Sequence, residues 1–166
     1  MRREGSRLTQ RKISSTKHGT MGSVDQAEGT IMAEHLWSEV FTAHPHCPPA
    51  VDVILDCLRA CSDCSIACIG CADACIAEEQ IAELRECIRL NLDCANLAAT
   101  TGAVIARLTK PHKAPMTALL NTTIAACHAC AELCDQHSDR YAHCRSCAGC
   151  CRACAHACAA LLEAMP

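Results

Sequence analysis

From Cys57 to Cys75, cysteine recurs along the chain with alternating gaps of four and three residues. Residues at this spacing share one face of an α-helix, and the alternation is the pattern of a helix that packs against other helices. Leucine or isoleucine usually fills such a face, whereas here every position carries a thiol. Proline is favoured in the first turn of a helix, so Pro48-Pro49 places this helix at about residues 48–77. Its core positions are Cys57, Cys61, Cys64, Cys68, Cys71 and Cys75.

Three further helices are predicted by the same spacing. Glu78-Glu79 suits the first turn of the second helix, prolines between residues 110 and 115 separate it from the third, and Ser138 or Asp139 is expected to cap the fourth. Four long helices with short connections indicate an all-α, antiparallel four-helix bundle with a cysteine-lined core. The core positions of the second helix are Leu84, Cys87, Asn91, Cys94, Ala98, Thr101, Ile105 and Leu108; those of the third are Met116, Leu120, Thr123, Cys127, Cys130 and Cys134; those of the fourth are Cys144, Cys147, Cys151, Cys154, Cys158, Leu161 and Met165.

The bundle is assigned to residues 47–166, and two segments precede it. Residues 31–44 carry Leu36, Trp37, Val40 and Phe41 and are expected to form a short amphipathic helix. Residues 1–29 are basic and lack an apolar period, so we expect a disordered tail.

The predicted topology makes the two ends of the core different. The turns near residues 78 and 138 lie at the same end, with most of the cysteines close to them. Leu108, Met116, Leu120, Leu161 and Met165 gather at the other end. One end of the core is therefore sulfur and the other is hydrocarbon, which should hold the bundle together before any metal binds.

Composition narrows the function. The 166 residues include 18 Cys, about 11%, a level that implies a disulfide scaffold or metal binding. The formal net charge of −3 gives no reason to expect a nucleic-acid partner. The sequence contains no run of 18 apolar residues, so no membrane-spanning helix is expected. Arg2-Arg3 is not followed by the apolar stretch of an export signal. We therefore expect a cytoplasmic protein, in which thiols stay reduced.

Metal binding explains the thiols better than disulfides do. Cβ atoms three or four residues apart on a helix are separated by about 5–6 Å, beyond the about 3.5–4.5 Å of a disulfide. Disulfides between helices stay possible, but a cytoplasmic compartment disfavours them. A linear thiolate–metal–thiolate unit with bonds of about 2.3 Å spans roughly 4.5 Å, which such pairs can reach. Thiolates select Cu(I), and bridging thiolates with Cu(I) near one to one leave the buried core almost neutral.

Two other uses of the thiols stay open. A zinc or mixed-metal buffer needs tetrahedral sites, each with a double negative charge when four thiolates bind one zinc ion. An oxidoreductase with CxxC or an iron–sulfur cluster favours loop-borne, unevenly spaced cysteines, unlike this helical register.

The repeats Cys57-x₃-Cys61-x₂-Cys64-x₃-Cys68-x₂-Cys71-x₃-Cys75 and Cys144-x₂-Cys147-x₂-Cys150-Cys151-x₂-Cys154-x₃-Cys158 resemble those of the bacterial four-helix-bundle copper storage proteins. The resemblance covers about residues 31–166. Because no signal peptide is recognised, the chain resembles the cytosolic branch of that family. The resemblance implies a homotetramer of bundles that each fill the core with Cu(I) and have no catalytic role. Delivery by a copper chaperone or a small-thiol donor is a further expectation.

The candidate ligands are the core cysteines together with Cys47, which is in phase if the helix begins there, and Cys150, which is one step off. His137 follows the third helix's core face and either passes Cu(I) inward or hydrogen-bonds the loop. His143 is off phase, and Asn91 is interpreted as a hydrogen-bonding residue rather than a ligand. The full set is Cys47, Cys57, Cys61, Cys64, Cys68, Cys71, Cys75, Cys87, Cys94, Cys127, Cys130, Cys134, His137, Cys144, Cys147, Cys150, Cys151, Cys154 and Cys158.

An outer stripe of Ile66, Ile69 and Ile76 lies opposite the cysteines of the first long helix. An apolar outer face implies cover, so we expect these side chains to be buried by the 31–44 helix or by another subunit.

Overall fold

The fold is described from a computed structural model, in which residues 37–165 are described. The tail at residues 1–29 and the first part of the predicted 31–44 helix lie outside these residues. The described part of that segment is a short helix, α1 (Ser38–Thr42). Phe41 packs edge-on against Trp37, with 5.7 Å between ring centroids.

Four long helices follow, with no strand among residues 37–165: α2 (Val51–Ala77), α3 (Arg85–Ile105), α4 (Lys113–His137) and α5 (Ala142–Ala164). Each packs against its neighbours in the chain, and α5 closes the ring against α2. The predicted four-helix bundle is confirmed. Short connections between neighbouring helices make it antiparallel.

Helix α2 begins at Val51, three residues later than the pattern predicted. A residue that precedes proline is pushed out of the helical region, so Cys47 and Pro48 are not helical. A turn in which the Val51 amide donates to the Pro48 carbonyl (3.2 Å) leads into the helix instead. Cys47 is consequently outside the helix and exposed.

The placement of Glu78 and Glu79 in the first turn of the second helix is wrong. Glu78 has extended backbone angles and ends α2, and a 3₁₀ turn (Ile81–Leu84) leads into α3. Leu84 in that turn is fully buried and fixes the approach of the chain to the core. The predicted cap of the last helix is also wrong, because α5 begins after Tyr141 and the Ser138 hydroxyl donates to the Asp135 carbonyl, 2.7 Å away.

The core has the two predicted ends. At one end, Ile105, Leu108, Leu120 and Leu161 are buried, and Met116 and Met165 pack against them. A cavity of about 310 Å³ opens among several of these side chains. Cysteines are the most numerous residues in the rest of the core and continue to the opposite end.

The exterior of α2 carries a stripe of three isoleucines. Ile66, Ile69 and Ile76 are 68%, 54% and 54% exposed in the single chain. Helix α1 does not cover them, so their burial by another subunit stays a prediction.

Helix α2 is also, among residues 37–165, the one helix long and apolar enough to cross a membrane, with a mean hydropathy of 1.4. This property arises because the cysteines and isoleucines of α2 are apolar. A core helix of a soluble protein has the same property, and the cysteine face of α2 is buried inside the bundle.

Candidate metal centre

Sixteen thiols form one continuous column inside the bundle. Of the 18 cysteines, Cys47 is exposed and Cys150 half-buried, and the remaining 16 are buried. Each of these 16 is at most 3% exposed. None of the 18, all of which lie within the described residues, forms a disulfide. The neighbouring sulfur atoms are 3.5–4.0 Å apart, far beyond the about 2.05 Å of a disulfide bond.

The outermost group of thiols lies at the end of the bundle near residues 78 and 138, which we call the mouth. Its four sulfur atoms all lie within 4.8 Å of one another and come from three helices. This outer cluster consists of Cys71, Cys75, Cys87 and Cys144. Four thiols at such separations can hold one tetrahedral ion or share several low-coordinate ions.

A histidine completes the outer cluster. His143 Nδ1 is 3.5 Å from the sulfur of Cys71 and 3.5 Å from that of Cys144. His143 is off phase on its helix and is therefore not among the ligands predicted from the sequence. His143 is the second residue of α5. At the end of a helix, a long side chain can reach around toward the core even when its position does not face the core. A histidine within one turn of a helix start, beside a cysteine, was the available signal.

His137, by contrast, ends α4 and is half-buried. Its ring centroid lies 6.5 Å from that of Tyr141, and Tyr141 in turn lies 5.5 Å from His143. A row of His137, Tyr141 and His143 therefore leads from the end of α4 to the outer cluster. The role of His137 as a ligand stays a prediction, and so do those of Cys47 and Cys150.

Asn91 separates the outer cluster from the deeper thiols. It is fully buried, and its Nδ2 donates to the Cys87 carbonyl (2.8 Å) and to the Cys87 sulfur (3.3 Å). Its Oδ1 accepts from the thiols of Cys147 (2.9 Å) and Cys130 (3.4 Å). The amide thus satisfies thiols on both sides, which agrees with its interpretation as a hydrogen-bonding residue.

Beyond Asn91 the thiol groups overlap. Two buried sets of four share Cys68 and Cys151. Cys64 belongs to one of them and also to a trio with Cys127 and Cys154. These sets are Cys64, Cys68, Cys94 and Cys151; Cys68, Cys130, Cys147 and Cys151; and Cys64, Cys127 and Cys154. A shared sulfur must bridge two ions if both sets are filled.

The column ends at an inner cluster of Cys57, Cys61 and Cys158. The fully buried hydroxyls of Thr101 and Thr123 hydrogen-bond to each other at 2.7 Å. Along the bundle, this pair lies between the inner cluster and the hydrocarbon end, which begins with Leu120 and Ile105.

Burial and mutual hydrogen bonding shift the pKa values of these thiols in both directions. Burial raises the pKa of Cys144 from 9.0 to about 12, and burial also raises the pKa of Cys75. Hydrogen bonding to Cys158 raises the pKa of Cys57, whereas hydrogen bonding from Cys127 lowers the pKa of Cys64. Metal ligation needs thiolates, so filling the column should release protons and strengthen as the pH rises.

Comparison with known proteins decides the family. A family model described as "Copper storage protein" matches residues 51–163. The chain belongs to the copper storage protein family. The matched residues contain all four bundle helices apart from the last residue of α5. A search of curated proteins finds no match.

Solved structures of the family share the fold. The copper storage protein Ccsp from Streptomyces lividans, loaded with 10 copper equivalents, is 34% identical with a TM-score of 0.75, and the alignment covers 77% of this chain and 98% of that one. A cytosolic copper storage protein from the same organism, with five coppers, is 37% identical over 69% of this chain and 96% of that one (TM-score 0.68). A Ccsp variant with two histidines replaced by alanine is also 37% identical, with the same coverage and a TM-score of 0.67.

Proposed function

We propose that this protein stores many Cu(I) ions in the cytoplasm and so limits their toxicity, with the thiols as ligands and the bundle as a rigid container. The observation that carries the proposal is the thiol column itself, in which each of the 16 buried thiols has another buried sulfur atom within 4.8 Å. One catalytic or structural site needs about four ligands. The surplus is what a store requires, and no catalytic role is proposed.

Shared sulfurs favour Cu(I) over zinc. Two of the four-thiol sets have Cys68 and Cys151 in common, so two separate tetrahedral zinc sites cannot both form from them. Each Zn(Cys)₄ site would also bury two negative charges, whereas bridging thiolates with one Cu(I) per sulfur carry almost none. The copper in the related Streptomyces structures supports the same choice.

A zinc or mixed-metal buffer is the second candidate, because the outer cluster alone is a four-thiol set within 4.8 Å. Metal competition separates the two functions. The reduced protein is filled with zinc and then titrated anaerobically with Cu(I), while released zinc is counted. We expect Cu(I) to displace all of the zinc, and zinc retained in the column at excess Cu(I) would contradict the copper proposal.

We propose that copper enters at the mouth. His143 already contacts two outer thiols, and Tyr141 connects it to His137. Cu(I) from a copper chaperone or a small-thiol donor would meet these imidazoles first, fill the outer cluster and pass Asn91 toward the inner cluster.

We also propose a homotetramer, supported by the exposed stripe of Ile66, Ile69 and Ile76. Light scattering measures the assembled mass. The double substitution Ile66→Glu and Ile69→Glu should lower the assembled mass, and an unchanged mass would exclude this face as an interface.

A further inference from the structure

A carboxylate stands at the mouth behind His143. Glu78 ends α2, and its extended backbone turns the chain away from the helix. Its Oε1 lies 3.3 Å from His143 Nε2. The His143 side chain is 23% exposed and that of Glu78 36% exposed, so the pair is only partly screened by water.

The two nitrogens of His143 therefore face different partners. Nε2 faces the carboxylate, and Nδ1 faces the sulfurs of Cys71 and Cys144 at 3.5 Å each. A neutral imidazole carries its proton on one nitrogen, and an ionised carboxylate can only accept. The contact with Glu78 therefore places the proton on Nε2 and leaves the Nδ1 lone pair toward the thiols.

The neighbouring groups allow this pairing to persist. The Tyr141 ring lies 5.5 Å from the imidazole at 32° and supports one face of it. Arg140, which lies over the Tyr141 ring, pairs with Glu83 at 3.4 Å. Glu78 thus keeps His143 as its partner.

We propose that Glu78 is a positioning residue that fixes His143 as the Nε2–H tautomer, with Nδ1 ready to ligate the first Cu(I) at the outer cluster. Only the identity of the ion rests on the proposed function. Among residues 37–165, the side-chain partner recorded for Glu78 is the imidazole of His143. Carboxylates that orient a metal-binding histidine in this way commonly account for about 10–100-fold in metal affinity.

The tautomer is measurable without copper. Long-range ¹H–¹⁵N spectra of the reduced protein, recorded at a pH where imidazole is neutral, distinguish Nε2–H from Nδ1–H, and the His143→Ala variant assigns the signal. We expect Nε2–H in the wild type, a mixture in Glu78→Ala and a return to Nε2–H in Glu78→Gln, which keeps an acceptor oxygen. Glu79→Ala removes the same charge from the adjacent exposed residue and should change nothing. An unchanged tautomer in Glu78→Ala would overturn the proposal.

Copper binding supplies the second readout. Glu78→Ala should weaken the affinity for the first Cu(I) equivalents by about 10–100-fold while leaving the total number of ions per chain unchanged, and Glu79→Ala should match the wild type. Equal losses of Cu(I) affinity in Glu78→Ala and Glu79→Ala would show that the negative charge at the mouth is responsible, and would contradict a positioning role for Glu78. A wild type that binds no Cu(I) would instead defeat the storage function, whereas the tautomer experiment would still decide the role of Glu78.

Discussion

The two ends of the core are built from the same four helices but meet different physical demands. At the hydrocarbon end, Ile105, Leu120 and Leu161 bury branched side chains beside a cavity of about 310 Å³. At the sulfur end, small thiols pack at van der Waals distances and Asn91 hydrogen-bonds among them. We expect the hydrocarbon end to stabilise the fold without metal and the sulfur end to provide the binding capacity. Stability and metal capacity would then depend on different parts of the core.

The largest expected effect is the stabilisation of the sulfur end by Cu(I). An ion that binds only the native state adds about 4 kcal/mol per independent site when its free concentration is 1,000-fold above Kd. Filling several sites should therefore raise the midpoint of thermal unfolding far above that of the metal-free protein, as calorimetry under anaerobic conditions would measure. Equal midpoints for both forms would show that the thiols hold copper no better in the folded chain than in the unfolded one.

A matched pair of truncations separates the ends next. Leu120→Ala removes a fully buried side chain from the hydrocarbon end and should cost about 2–5 kcal/mol of unfolding free energy. It should leave the Cu(I) count unchanged. Cys94→Ala should cost about 1 kcal/mol but lower the Cu(I) count. Urea unfolding and metal counting on both variants provide the measurement. A loss of Cu(I) capacity in Leu120→Ala with the larger loss of stability in Cys94→Ala would contradict the different roles of the two ends.

The threonine pair between the two ends should have a smaller effect. Thr101→Val leaves the Thr123 hydroxyl buried without the partner it now has at 2.7 Å, a loss of about 1–3 kcal/mol. Replacing both residues by valine removes both polar groups and should recover much of that loss. A double-mutant cycle measures the coupling, and strictly additive losses would mean that the bond contributes nothing specific.

The smallest effect concerns pH. Since burial raises the pKa of Cys144 from 9.0 to about 12, the folded metal-free chain keeps a proton that the unfolded chain loses. This contribution to stability is complete below about pH 9 and is lost between about pH 9 and about pH 12. From about pH 8 to about pH 10, this thiol alone should cost about 1 kcal/mol. Anaerobic urea unfolding at the two pH values measures this loss. The Cys144→Ala variant is the control and should lose less stability between them.

The sequence predicted the periodic parts of this molecule and missed the irregular ones. Periodicity places core residues because one face of each helix must be buried, so the thiol column followed directly from spacing. The start of α2, the role of Glu78 and the contacts of His143 depend on how helix ends meet across the bundle. Local spacing carries no information about such contacts. His143 illustrates this, since it lies off the core face of α5 yet reaches Cys71 on another helix.

The most direct test of the account is an anaerobic titration of the fully reduced protein with Cu(I) in the presence of a chromogenic Cu(I) chelator. If the 16 buried thiols act together through bridging sulfurs, the protein should bind about one Cu(I) per buried thiol before the coloured Cu(I)–chelator complex forms. Saturation at about four ions per chain or fewer, the number that separate four-thiol sites could hold, would contradict the claim.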